Sequence, residues 1–199
     1  MTITLQNISK RFGFEWIFKQ IQFSFEEGGK YAVVGPNGSG KSTLLKIISG
    51  GLTPTSGKVD FGELEEIAVQ KIVYAAPYIS LIEDFTLEEM YKFHAAFKTF
   101  YTSEEAEFYA ISELEKHKTK YIKNFSSGMR QRLKLTFAFL TQSELILLDE
   151  PTSNFDTKAV DWYLSMKEKY VGKRTLIIGS NQAYEYEDCS LQLDIMQYK

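Results

Sequence analysis

The sequence predicts an α/β fold in which a core with a mixed sheet carries an N-terminal antiparallel β subdomain and an inserted helical subdomain. Three patterns carry this expectation. Residues 2–8 and 21–25 alternate apolar and polar side chains, as half-buried paired strands do. Residues 30–34, 145–148 and 175–178 are short apolar runs bounded by turn or helix signals, in the manner of buried strands. Between Asp84 and about Lys123, Glu, Lys, Phe and Tyr recur at helical spacing and no strand pattern interrupts them.

At 199 residues the chain has room for a single domain, 1–199, with a core of about 1–76 and 129–199 and a helical insertion of about 84–128. Hydrophobic residues at 44% and charged residues at 25% are ordinary globular usage, and a chain this long buries roughly 70% of its extended surface. Lys plus Arg number 23 against 26 Asp plus Glu, so the net charge of -3 argues against binding nucleic acid through bulk electrostatics. The single cysteine, Cys189, leaves no internal disulfide and fits a reduced compartment. The opening MTITLQNISKRF lacks the apolar core of a signal peptide, and the longest apolar runs fall far short of the ~20 residues that span a bilayer. Any membrane role is expected to come through a partner.

In chain order, Glu-Glu-Gly-Gly at 26–29 is turn chemistry after the first two strands, and residues 30–34 form the next strand. A glycine-rich loop leads into residues 42–49, where Leu44, Leu45, Ile47 and Ile48 suit a buried helix ended by Gly50 and Gly51. Residues 54–57 form a turn, and 58–61 and 71–75 read as strands. After the insertion come a polar turn at 124–128, a helix to about Leu140, a strand at 145–148, a helix at about 158–170 and a strand at 175–178. Residues 104–116 read as a solvated helix face. His94 and His117 belong to the insertion and read as packed or solvated side chains, while Tyr163, Tyr170, Tyr184, Tyr186 and Tyr198 read as core and surface aromatics.

Residues 35–42, GPNGSGKS, match GxxxxGK[ST] in full between an apolar strand and a helix. Gly35, Gly38 and Gly40 let the backbone curl so that successive N–H groups point at phosphate oxygens, and the following helix adds its positive dipole end. Lys41 supplies a point charge for the β- and γ-phosphates, and the Ser42 hydroxyl is a ligand for Mg2+. Gly35, Pro36, Asn37, Gly38, Ser39, Gly40, Lys41, Ser42 and Thr43 are thus candidate ATP-binding residues of a P-loop NTPase core. The strand at 145–148 delivers Asp149 and Glu150 at its C-terminal end, where ligands of open α/β sheets gather. Asp149 is placed to hold Mg2+, directly or through water, and Glu150 to polarise an attacking water as general base.

With these motifs the chain resembles the ATP-binding cassette (ABC) family of ATPases over nearly its whole length. Residues 125–132, FSSGMRQR, occupy the place of the family signature LSGGQ; Ser126 and Gly128 match, while Phe125, Ser127 and Met129 depart. From the residues alone this turn is a helix cap with Ser127 at the N-cap, or an anion site with no phosphate of its own. The resemblance implies that Ser126 and Gly128 contact the nucleotide of a second cassette. Residues 153–156 look like the D-loop, an interface element between cassettes, and Asp156 is also a candidate helix cap. Phe12 stands where the family often has an aromatic that stacks on adenine, and beside Trp16 and Phe18 it reads equally as a core residue.

Two departures stand out. Pro77 occupies the place of the Q-loop glutamine, and proline offers neither an amide side chain nor an N–H. Gln70 is no substitute, because it precedes the same strand and falls at its other end. Asn181 takes the place of the switch histidine; its amide can hydrogen-bond a γ-phosphate but does not titrate.

The resemblance implies an ATP-binding and ATP-hydrolysing subunit of an ABC transporter, with Glu150, Lys41 and Asn181 as catalytic residues and ATP and Mg2+ as cofactors. It implies a homodimer or heterodimer with another cassette, two ATP being held between the phosphate loop of one subunit and residues 126–128 of the other. A separate transmembrane permease subunit is the implied partner, received in a groove around residues 77–85. The chain is then cytoplasmic, peripheral on the cytoplasmic face of the cell membrane, with no nucleic acid expected. Pro77 and Asn181 keep open a degenerate cassette with slow or no hydrolysis, acting as a sensor or as one half of an asymmetric dimer. A DNA-repair or translation cassette usually brings a coiled-coil insertion or a second cassette, and these residues contain neither.

Overall fold

The computed structural model of the protein describes residues 1–62, 68–102 and 104–199; residues 63–67 of the expected core and Ser103 of the expected insertion lie outside it. The described strands are β1 (Ile3–Phe12), β2 (Glu15–Phe25), β3 (Lys30–Val34), β4 (Ser56–Asp60), β5 (Ile72–Ala75), β6 (Leu145–Asp149), β7 (Thr175–Ser180) and β8 (Leu191–Asp194). The described helices are α1 (Lys41–Ile48), α2 (Leu87–Ala95), α3 (Glu105–Ser112), α4 (Ser127–Leu140), α5 (Thr157–Tyr170) and α6 (Ala183–Tyr186). They fall into two compact units, one of residues 1–74, 143–150 and 171–199, the other of residues 75–142 and 151–170.

The first unit contains an antiparallel sheet of order β2-β1-β4, as the alternation at the N-terminus predicts. Ile3, Leu5 and Ile8 of β1 and Phe18, Ile21 and Phe25 of β2 are turned inward and fully buried. The hairpin is longer than expected, running on to the pairs Arg11↔Trp16 and Phe12↔Glu15. Register shifts between Leu5 and Ile8 and between Ile8 and Lys10 throw the alternation out of phase, which hides the outer half of the hairpin from a period-2 reading.

The second sheet has the order β5-β6-β7-β3-β8. β3 pairs in parallel with β7 and β8, and β6 in parallel with β7. The register sets Val34 opposite Ser180 and Asp194, and Asp149 opposite Gly179, so the chain leaves β3, β6 and β7 at one edge. Leu44, Leu45, Ile47 and Ile48 of α1 are buried in one core with Val33, Leu145, Leu147 and Ile177. Each such side chain contributes about 1.5–3 kcal/mol on burial. β8 escaped the sequence reading because only Leu193 of its four residues is buried.

In the second unit, Thr86 caps α2 through a reciprocal pair: its Oγ1 accepts from Glu89 N at 3.2 Å, and Thr86 N donates to Glu89 Oε2 at 2.8 Å. Residues 104–116 are not one solvated face. α3 stops at Ser112, Glu113 turns left-handed at φ 56°, and Phe108, Tyr109, Ser112 and Leu114 are buried. The burial follows from aromatic packing, since the Phe108 ring packs at a tilt against Tyr91, Phe100 and Phe137.

His94 belongs to the same cluster. Its ring lies 5.2 Å from Phe100 and 4.4 Å from Phe137, and its Nε2 is 2.8 Å from Thr141 Oγ1. Burial, and then the Lys98 charge, hold its pKa down to about 4. A folded pKa below the unfolded ~6.5 penalises the imidazolium only in the native state, so stability falls as pH drops through ~6.5 and the loss is complete below about 4. Urea unfolding at pH 5 and pH 7.5 should show a pH-dependent loss in the wild type on the order of 1–2 kcal/mol larger than in His94→Phe. Equal losses in the two proteins would contradict this account of His94.

Candidate functional site

The chain leaves β3 into a loop drawn tight against its neighbours. Gly35 has φ 146° and Gly40 φ 108°. A Cβ on Gly35 would meet Ser39 Oγ at 2.8 Å and Ile195 Cγ2 at 2.9 Å, and one on Gly40 would meet Ile17 Cγ2 at 2.5 Å. No other residue fits there without displacing the loop. Gly40 is the N-cap of α1 and provides no side-chain cap, so the first-turn N–H groups keep donors for an anion. Pro36, Asn37 and Gly38 are exposed, while Ser42 and Thr43 are half-buried in the first turn. Ser39 is buried, and its Oγ makes no hydrogen bond. Its carbonyl accepts from Lys199 Nζ at 2.8 Å.

Lys41 is 4% exposed, and its Nζ donates to Gly35 O at 2.9 Å and Pro36 O at 3.1 Å. The cation therefore lies folded over its own loop, held by carbonyl dipoles. A phosphate oxygen is a stronger partner than either carbonyl.

Asp149, at the end of β6, is buried and accepts from Tyr74 OH at 3.3 Å. Glu150 follows it with φ 43°, a left-handed conformation that costs a non-glycine residue on the order of 1–2 kcal/mol. Its N–H donates to Gly179 O of β7 at 2.8 Å, which anchors the turn. Asn181, the first residue past β7, donates through Nδ2 to Asn37 Oδ1 of the phosphate loop at 3.2 Å. The first unit thus sets Lys41, Asp149, Glu150 and Asn181 along adjacent strand ends, where the parallel register puts them.

Phe12 sits near the hairpin tip, 52% exposed, with Lys10 Nζ 5.0 Å from its ring centroid. It is not a core residue. It belongs to the last pair of the ladder, beyond the buried part of the sheet, and only Phe18 of the three neighbouring aromatics is buried. β2, the strand paired with β1, approaches Gly40 of the phosphate loop through Ile17.

In the second unit Ser126, not Ser127, caps α4: its Oγ accepts from Met129 N at 3.2 Å. Ser127 is the first helical residue, because Ser126 keeps the extended backbone of a cap. Ser126 is exposed and Gly128 half-buried, and a Cβ on Gly128 would stand 3.4 Å from Asn154 O, so residues 126–128 and 153–156 are neighbours. Asp156 Oδ1 accepts from Ala159 N at 2.9 Å and caps α5. Pro77 follows β5, and Gln70 lies in the turn ahead of it, at the opposite end.

The sequence reading missed several partners. Tyr74 reaches Asp149 across 75 residues of chain, Lys134 reaches Pro77 across 57, and Gln131 Nε2 holds Pro151 O at 2.8 Å across 20. These partners become visible only once the strand order and helix packing are known. Among the described residues no group of three or more His, Cys, Asp and Glu can hold a metal. One hydroxyl and one carboxylate, Ser42 and Asp149, instead suit an ion such as Mg2+ that keeps waters and takes phosphate oxygens. No helix of the described residues is long and apolar enough to cross a membrane.

The ABC transporter family model matches residues 18–153. The chain is 31% identical over 196 residues to the linearmycin resistance ATP-binding protein of Bacillus subtilis, with 92% of this chain and 62% of that protein covered. It is 32% identical over 162 residues to the cytochrome c biogenesis ATP-binding export protein of Cupriavidus pinatubonensis, with 78% of this chain and 72% of that protein covered. An ABC transporter ATP-binding protein from Pyrococcus furiosus has the same fold, with a TM-score of 0.82 at 23% identity and full coverage of both chains. A dimeric ATP-binding cassette bound to ADP and Pi superposes with a TM-score of 0.80 at 24% identity, covering 97% of this chain and 94% of that one. The chain belongs to the ABC transporter family, as one of its ATP-binding cassettes.

Proposed function

We propose that residues 1–199 form one cassette domain that binds and hydrolyses ATP to drive a separate transmembrane permease subunit. The observation that carries this reading is the convergence at the ends of β3, β6 and β7: the loop with its buried Lys41, the Asp149-Glu150 pair, and Asn181 bonded to Asn37 at 3.2 Å. The loop N–H groups and Lys41 bind the phosphates, and Phe12 stacks on adenine. Asn181 donates its amide to the γ-phosphate in exchange for Asn37. Glu150 takes the proton of the attacking water at its carboxylate. Mg2+, held through Ser42 and Asp149, would neutralise phosphate charge.

Ser126 and Gly128, with residues 153–156 beside them, face a second cassette and complete its site. Residues 77–85 receive the permease, which places the chain on the cytoplasmic face of the membrane. Asn181 and Pro77 favour a second reading, in which hydrolysis is slow and the chain is one half of an asymmetric dimer.

Light scattering on Glu150→Gln with saturating ATP should give twice the monomer mass, reverting when ATP is removed. A monomeric mass with ATP bound would contradict the homodimer and require a different cassette as partner.

A further inference from the structure

Pro77 leaves the loop after β5 without an amide side chain, and α4 supplies a different group at that place. Lys134 Nζ donates to Pro77 O at 2.6 Å and to Ala76 O at 3.2 Å. The side chain is half-buried, and burial, then the neighbouring Arg130 charge, lower its pKa. Ala76 O also accepts from Ile79 N at 3.2 Å, so Lys134 joins a turn that the loop already closes on itself.

Further ties join the same two segments. Arg130 Nη1 lies 3.4 Å from Glu83 Oε1, and Lys123 Nζ 3.0 Å from Asp84 Oδ1. Lys123 N donates to Glu83 O at 3.0 Å, and Ile122 N to Phe85 O at 2.8 Å. Residues 76–85 are therefore fastened at both ends to residues 122–134, the stretch that carries the Ser126 cap and Gly128. The two ion pairs are exposed and screened by salt. Lys134 is the half-buried, charge-assisted tie, and it sits two helical turns from Ser126 on the same helix.

We propose that Lys134 is a positioning residue that locks loop 76–85 to α4, so that a partner seated on the loop moves residues 126–128 with it. The consequence for turnover rests on the ATPase reading above, but the lock itself does not. It predicts that loosening Lys134 leaves ATP affinity alone, because the phosphate loop is not touched, and acts on the step that needs residues 126–128.

Hydrogen exchange on the full chain reads the lock directly. Ile79 N bonds Ala76 O in the loop, and Met129 N bonds Ser126 Oγ in the signature turn. Lys134→Met should speed exchange at both amides roughly tenfold, with β6 amides unchanged, and Lys134→Arg should restore both. Faster exchange at Ile79 with Met129 unaffected, or no change at either, overturns the proposal. If Lys134→Met exchanges throughout β6 as well, Lys134→Gln provides the same comparison with less disruption. In turnover assays Lys134→Met should lower kcat roughly tenfold with KM within about twofold, and Lys134→Arg should recover it. A raised KM at unchanged kcat overturns the proposal. A wild type with coupled exchange and no turnover overturns the hydrolysis reading and leaves the lock standing.

Discussion

Lys41→Ala is expected to weaken ATP binding by roughly a hundredfold or more, about 3 kcal/mol, with little loss of fold stability. The ammonium is buried and bonded to Gly35 O and Pro36 O, with no carboxylate among these partners. Removing it relieves the desolvation of an unpaired cation and frees two carbonyls, of which Pro36 lies on an exposed residue. These terms oppose each other, so thermal stability should stay within about 1 kcal/mol. Binding has no such compensation, because the phosphate loses its charged partner in a site with no second buried lysine beside it among the described residues. Titration of a fluorescent ATP analogue beside a thermal melt checks both halves. Unchanged affinity would remove the phosphate loop from the account.

Glu150→Gln is expected to lower ATP turnover by about 10²–10⁴ while ATP still binds. The amide has the shape of the carboxylate and keeps the N–H bond to Gly179 O at 2.8 Å, so the left-handed turn at φ 43° survives. It cannot accept a proton at neutral pH. Turnover reduced less than tenfold would mean that Glu150 is not the base, and would favour the cassette that only binds.

The parts of this molecule that were legible in the sequence are those whose residues are close together along the chain. The phosphate loop is eight consecutive residues between an apolar strand and a helix, and Asp149-Glu150 ends a strand of four apolar residues. Their local patterns agree with the fold they adopt. The outer hairpin was hidden by three register shifts, and β8 by its single buried residue. Phe12 could not be placed from sequence, because a core aromatic and an exposed one look alike until the ladder shows where the buried part ends. Ser126 displaced Ser127 as the cap by one residue, a choice that only backbone angles decide. Lys134 reads as one more cation on a helix; its meaning comes from Pro77, 57 residues away.

The most direct test of the central claim is Mg2+-dependent ATP turnover by the purified wild-type chain across a range of protein concentrations, with Glu150→Gln as control. A dimer that builds each site from the phosphate loop of one subunit and residues 126–128 of the other predicts turnover rising faster than linearly with concentration and vanishing in the variant. Turnover strictly proportional to concentration, or no turnover above the variant while ATP is bound, would contradict it.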